Sequence, residues 1–157
     1  MMTKTNALRL LTQAGVPYRT ASYEYDESDL SGGKAARAIG MPEEQVFKTL
    51  VARGEKRGIL VFCIPVCCTL DLKKAAKAAG DKKVELVHMN ELLPLTGYIR
   101  GGCSPVGMKK AYPTFIDETA QLYDEIAVSA GARGQQVILP PQELIDYAQM
   151  DVCDLTE

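Results

Sequence analysis

The chain has 157 residues, 46% of them hydrophobic and 24% charged, and a net charge of −2. This length predicts one domain over residues 1–157 with a sizeable core, and the composition is that of a globular protein in water. The charge excludes a domain that grips nucleic acid by basic excess alone. Any such contact is expected at a local patch, such as Lys73, Lys74, Lys77, Lys82 and Lys83 or the pair Lys109–Lys110, or is shared with a partner. The longest apolar run, Ile59 to Cys68, is too short for a membrane span and reads as a buried strand. The N-terminus is polar and lacks the apolar region of a signal peptide, which predicts a cytosolic protein.

In chain order, Ala7, Leu8, Leu11 and Ala14 recur at helical spacing after Thr5, and Gly15 closes that helix. Tyr18 to Tyr25 alternates and reads as a strand, and Asp26 to Gly33 as a polar loop. Lys34 to Ile39 predicts a short helix stopped by Gly40, and Pro42-Glu43-Glu44 starts a further turn. Phe47 to Ala52 and Ile59 to Val66 form a hairpin around Gly54 to Gly58. Asp71 caps a helix that runs to Ala79 before Gly80. A strand at Val84 to Val87 follows, then a brief helix capped by Asn90 and ending before Pro94. Further strands fall at Thr114 to Ile116, Ile126 to Ser129 and Gln136 to Leu139, with a helical turn at Glu118 to Tyr123. Pro141 opens a last helix to Gln149, and Asp151 to Glu157 reads as an acidic tail. Several strands are joined by hairpin-length loops, which parallel pairs cannot use. The expected class is α+β: a curved, mainly antiparallel mixed sheet, barrel-like, with helices packed outside.

Two features carry chemistry. The first is the loop Thr96 to Lys110. Gly101 and Gly102 let its backbone turn sharply, and Pro105 fixes its own φ and pushes Ser104 towards extended geometry. Backbone N–H groups in such a loop can converge on an oxyanion or a carbonyl oxygen. An ordinary turn between strands has the same composition. The second is Lys48, a charge in an otherwise packing strand. It is either an edge lysine that deters aggregation or a cation reaching into a cleft. Tyr23, Thr49 and Tyr98 are candidates to line such a cleft, and Val128 to Gly134 forms a second small-residue loop. Five cysteines at 63, 67, 68, 103 and 153 give no C-x-x-C pair, and with only His88 available a His-rich metal site is excluded. Cys103, inside the glycine loop, is the thiol that bears on function.

Six blocks occur in order: Val46 to Leu50, Leu70 to Lys77, Thr96 to Tyr98, Gly101 to Lys110, Pro113 to Asp117 and Val128 to Gly134. Together they resemble the bacterial YbaK/EbsC family of Cys-tRNA(Pro) deacylases, free-standing relatives of the editing domain inserted in bacterial prolyl-tRNA synthetases. The resemblance runs from about Thr5 to Ala148. It implies hydrolysis of cysteine mischarged onto proline tRNA, an essential lysine at Lys48, and a carbonyl-holding loop of Gly101, Gly102, Cys103, Ser104 and Pro105. It implies a pocket lined also by Tyr23, Thr49, Tyr98 and Ser129, no metal or organic cofactor, and a partnership with prolyl-tRNA synthetase. The same residues would suit a deacylase for another small residue such as alanine, or a non-catalytic module that binds aminoacyl-tRNA or a synthetase. A thiol redox protein using Cys67-Cys68 is a further alternative. Two departures bear on amino-acid specificity. Gln136 stands where the family often has an acidic residue, and the Asp26 to Gly33 loop matches poorly near Leu30 and Ser31. The family supplies no Ser-His-Asp or Cys-His set, so the nucleophile is expected from the substrate: its own cysteine thiol.

Overall fold

The computed structural model describes residues 4–157. Its first three helices begin where a side chain can satisfy the free N–H groups of a first turn. Helix α1 (Asn6–Gln13) is capped by Thr5, whose hydroxyl accepts from Leu8 N, and its buried face is Ala7, Leu8 and Leu11. Helix α2 (Gly32–Ile39) starts earlier than the expected Lys34, because the Ser31 hydroxyl accepts from Lys34 N and draws Gly32 and Gly33 into the first turn. Helix α3 (Leu72–Ala79) is capped by Asp71, which accepts from the N–H groups of Lys73 and Lys74. Gly40 and Gly80 end α2 and α3 in the left-handed conformation.

Helix α4 (Leu92–Thr96) runs through Pro94, where an end had been expected. Pro94 lies in the first turn, whose N–H groups have no partner within the helix, so its missing donor costs little there. The single turn before it, Met89–Glu91, is capped by His88 and not by Asn90, with the Glu91 carboxylate accepting from His88 N. Helix α5 (Pro141–Ala148) has proline at its first position.

The strands are β1 (Arg19–Ser22), β2 (Phe47–Gly54), β3 (Gly58–Pro65), β4 (Val84–Leu86), β5 (Thr114–Asp117), β6 (Ile126–Ser129), β7 (Gln135–Leu139) and β8 (Asp151–Cys153). β1 is shorter than the alternation from Tyr18 to Tyr25 suggested. It ends at Ser22; one further bond, from Tyr23 N to Gly134 O, follows it, and the chain then turns through an Asp26–Asp29 bridge. Two sheets form, β1-β7-β6 and β4-β2-β3-β5-β8. The pairings are antiparallel except β3–β5 and β5–β8, which are parallel and are reached by long crossovers. The sheets meet at a parallel bridge between Val46 and Ala127. The mixed, mainly antiparallel α+β architecture is therefore present, but the barrel stays open as two sheets.

Each face of the larger sheet buries a separate core. On one face Phe47, Cys63 and Ile116 pack with Ile126, Val128, Val137 and Leu139 of the smaller sheet, beneath α1 and α5. On the other, Leu60, Phe62, Ile64 and Phe115 pack under Ala75, Ala76 and Ala79 of α3, with the Phe62 and Phe115 rings stacked 5.1 Å apart.

The expected acidic tail is instead part of this second core. Asp151–Cys153 is strand β8, parallel to β5, and Leu155 beyond it is fully buried. Leu155 N donates to the buried Asp117 carboxylate at 2.9 Å, and Thr156 bridges to Leu70. Local charge suggested a solvated tail, but a buried leucine and several long-range hydrogen bonds, among them Asp71 N to Leu155 O and Glu157 N to Thr69 O, hold the segment down. Leu155→Ala is expected to cost about 2–5 kcal/mol, since it opens a cavity in a closed core. Denaturant unfolding measures this, and an unchanged midpoint would return the segment to a loose appendage.

Candidate active site

β4 covers β2 only at Ala52 to Gly54. One further bond, from Val87 N to Val51 O, extends that cover; the stretch Phe47 to Leu50 is left without a strand partner on that side, and a cleft of about 560 Å³ runs along it. Side chains from both faces of β2 border the cleft, among them Lys48 and Thr49. The open edge explains why alternate residues meet in one cavity. Lys48 is half-buried and makes no salt bridge among the described residues. It is both an edge lysine and a cleft lysine. On its other side lies a more open groove lined by Leu70, Asp71, Lys73 and Glu157. That groove has no glycine loop and is not the candidate site.

The opposite wall comes from the smaller sheet and two loops. Ser129 at the end of β6 and Gln136 in β7 sit side by side in register, and Tyr23 follows β1. Gly101, Cys103 and Arg100 come from the glycine loop, with Leu30 beside them. His88 and Met89 complete the lining near β4.

The glycine loop takes its shape from residues behind the cleft. Gly101 has φ +85°, and a Cβ there would meet the Leu30 side chain at 3.3 Å. A Cβ on Gly102 would meet the backbone of Arg133 and Ala132 at 3.1 and 3.2 Å, so only glycine lets the two small-residue loops touch. Arg133 Nε donates to Arg100 O at 2.8 Å and ties them together. Tyr98 and Ser104 were expected to face substrate. The Tyr98 hydroxyl instead donates to Val106 O, and the buried Ser104 hydroxyl accepts from Val106 N at 3.1 Å. Neither they nor Gly102 and Pro105 border the cleft. Gly102 N already donates to Ile99 O at 3.0 Å. Among the described residues no hydrogen bond takes the N–H of Gly101 or Cys103, so these are the donors left for a ligand.

Among the described residues the cleft offers no activated protein nucleophile. Burial pushes the Cys103 thiol up to about 12, against a weaker opposing pull from the Thr96 hydroxyl. Burial likewise pushes Cys63 up to about 12, with the Thr49 hydroxyl 3.8 Å from its sulfur. Both thiols are therefore protonated at neutral pH, and a thiol without its thiolate is inert. The Ser129 hydroxyl accepts from Gly131 N at 3.1 Å, and no hydrogen bond joins it to an imidazole or carboxylate among the described residues. Cys103→Ser is accordingly expected to keep its reaction rate within a few-fold of wild type, measured in single turnover. A dead but folded Cys103→Ser variant would reveal covalent catalysis by the protein.

His88 and Met89 were not predicted as lining, and Gln136 was singled out only as a departure from the family pattern that bears on specificity. Gln136 was legible as the residue opposite Ser129 once β6 and β7 were paired. His88 and Met89 reach the cleft through tertiary packing and left no local signal.

The family model of the aminoacyl-tRNA editing domain matches residues 31–147. An Enterococcus faecalis protein named "Putative Cys-tRNA(Pro)/Cys-tRNA(Cys) deacylase EbsC" is 46% identical over 153 residues, 98% of this chain and 93% of that one. The uncharacterized YwhH of Bacillus subtilis is 26% identical over 134 residues, 83% of this chain and 85% of its own. A crystal structure described as "a putative trans-editing enzyme for prolyl tRNA synthetase" superposes with a TM-score of 0.83 at 29% identity, covering 96% of this chain and 92% of that one.

Proposed function

The chain belongs to the aminoacyl-tRNA editing domain family, and we propose that it is a free-standing deacylase that hydrolyses cysteine from mischarged proline tRNA. The observation that carries this reading is the pairing of Lys48 with the free N–H groups of Gly101 and Cys103 in a cleft that holds no activated protein nucleophile. Such a cleft can stabilise a developing oxyanion, but something else must attack.

The substrate brings that group. A cysteine thiol has a free pKa near 8.5, so a few per cent is thiolate at neutral pH. Its sulfur attacks the carbonyl carbon of its own ester, and the carbonyl oxygen becomes an oxyanion. Collapse breaks the bond to the ribose oxygen, and the proton lost by the thiol ends on the tRNA hydroxyl. The acyl group leaves as a four-membered thiolactone, which water opens to cysteine. Ring strain opposes the closure, and holding sulfur against carbonyl offsets much of the barrier. The roles assigned are oxyanion contact for the loop N–H groups, oxyanion or terminal-phosphate contact for Lys48, and shape contacts for Thr49, Tyr23 and Ser129. Tyr98, Gly102, Ser104 and Pro105 hold the loop.

The net charge of −2 favours a shared grip on tRNA, with prolyl-tRNA synthetase as the partner and the cytoplasm as the place of work. Among the described residues no helix is long and apolar enough to cross a membrane. The test is turnover of Cys-tRNA(Pro), Ala-tRNA(Pro) and Pro-tRNA(Pro) side by side. Catalytic loss of the cysteine ester with the proline ester spared supports the reading. Faster loss of alanine would change the substrate, and protection of every ester would make the chain a binding module.

A further inference from the structure

Among the described residues the charged groups bordering the cleft are Lys48 from β2 and Arg100 from the glycine loop, and no aspartate or glutamate borders it. The other titratable groups facing it are Tyr23, His88 and Cys103. Glu91 lies behind His88, paired with Arg53 at 2.8 Å. Gln136 borders the same space, is 6% exposed, and its Oε1 is buried without a hydrogen-bond partner among the described residues. A buried amide oxygen left unpaired costs on the order of 1–3 kcal/mol, which a ligand donor there recovers.

Resting on the deacylase reading, we infer that Gln136 binds the α-amine of the aminoacyl group in its uncharged form, so this cleft selects the deprotonated substrate. An ammonium would enter beside Lys48 and Arg100 with no carboxylate to balance it, and a buried unbalanced charge is costly. A neutral amine meets no such cost. It donates an N–H to Gln136 Oε1, and its lone pair can accept from the amide's own NH₂ if the amide turns over. An ammonium can only donate. A glutamate at this position would reverse the preference. Selecting the neutral amine also leaves Lys48 free of a competing cation close to the carbonyl.

The test uses two non-hydrolysable ligands with the full chain: 3′-alanylamino-adenosine, amide-linked, and its propionyl counterpart, which lacks the amine. Neither carries a thiol, so the nucleophile's own titration is removed. Calorimetry at about pH 7 and about pH 9 is expected to show the alanyl ligand binding about tenfold tighter at the higher pH, because an amine with a pKa near 8 passes from mostly charged to mostly neutral. Any change in Tyr23, Lys48, His88 or Cys103 acts on the propionyl ligand too, so the difference between ligands isolates the amine. In Gln136→Glu the alanyl ligand should bind tighter at the lower pH. Equal pH dependence of the two ligands in wild type, or tighter alanyl binding at low pH, overturns the inference and leaves the deacylase reading standing. Failure of both ligands to bind at either pH, with Cys-tRNA(Pro) also left intact, overturns the two together.

Discussion

Lys48→Ala is expected to lower the rate of Cys-tRNA(Pro) deacylation by about 1,000-fold or more, equivalent to about 4 kcal/mol of transition-state stabilisation, and to leave the fold intact. The structural half of this expectation comes from what Lys48 does not do. It forms no salt bridge among the described residues, so its removal strands no buried carboxylate. Its strand register opposite Ile64 is backbone pairing, which alanine keeps. The functional half comes from position. Lys48 is the one strand cation on the open edge of β2, where it can reach an oxyanion or a phosphate in a space partly shielded from water. Lys48→Arg should recover little, because a planar fork does not replace a compact point charge on a flexible stem. Single-turnover decay of the ester and a thermal melt of each variant are the measurements. A folded Lys48→Ala protein with full activity would remove this residue from the site.

The second large effect is expected at Gly101. Its φ of +85° is left-handed, and its Cβ would press on Leu30 at 3.3 Å. Gly101→Val therefore strains the backbone and moves the N–H groups of Gly101 and Cys103 away from the cleft. Losing one oxyanion donor costs about 100-fold to 1,000-fold in rate. The thermal midpoint should move by only a few degrees, since Leu30 is a flexible, half-exposed neighbour. The double variant Leu30→Ala/Gly101→Val separates the two causes. Relief of the contact with Leu30 should restore little if φ dominates, and most of the rate if the contact does. Wild-type rates in the single variant would show that the loop backbone takes no part.

The local devices were readable from sequence because each is written within a few residues. Thr5 and Asp71 cap their helices, Gly40 and Gly80 stop theirs, and the β2–β3 hairpin turns between Gly54 and Gly58. What was not readable depends on distant partners. β8 is three residues long and acquires its identity only by lying parallel to β5, with Leu155 buried behind it. Whether the sheet closes as a barrel depends on how far β6 follows β2, and one bridge at Val46–Ala127 is all that forms. The same division runs through the site. Lys48 stood out as a charge among packing residues and the glycine loop by composition, and both border the cleft. Tyr98 and Ser104 share that loop but turn their hydroxyls onto the backbone of Val106, which the sequence does not encode locally. Gln136 was visible as a departure from the family pattern, yet its unpaired buried oxygen emerged only from the packing of β7.

The central claim is that the protein supplies the oxyanion contacts and the substrate supplies the nucleophile. Cys-tRNA(Pro) and Ser-tRNA(Pro) differ by sulfur against oxygen in nearly the same shape, so the cleft should bind both. A serine hydroxyl is a far weaker nucleophile than a thiol that is a few per cent ionised at neutral pH. The deciding measurement is the deacylation rate of the two esters at equal enzyme concentration. The account predicts rapid loss of the cysteine ester and a serine rate close to that without enzyme. Similar rates would mean that water or a protein group attacks, and attack by the substrate thiol would have to be abandoned.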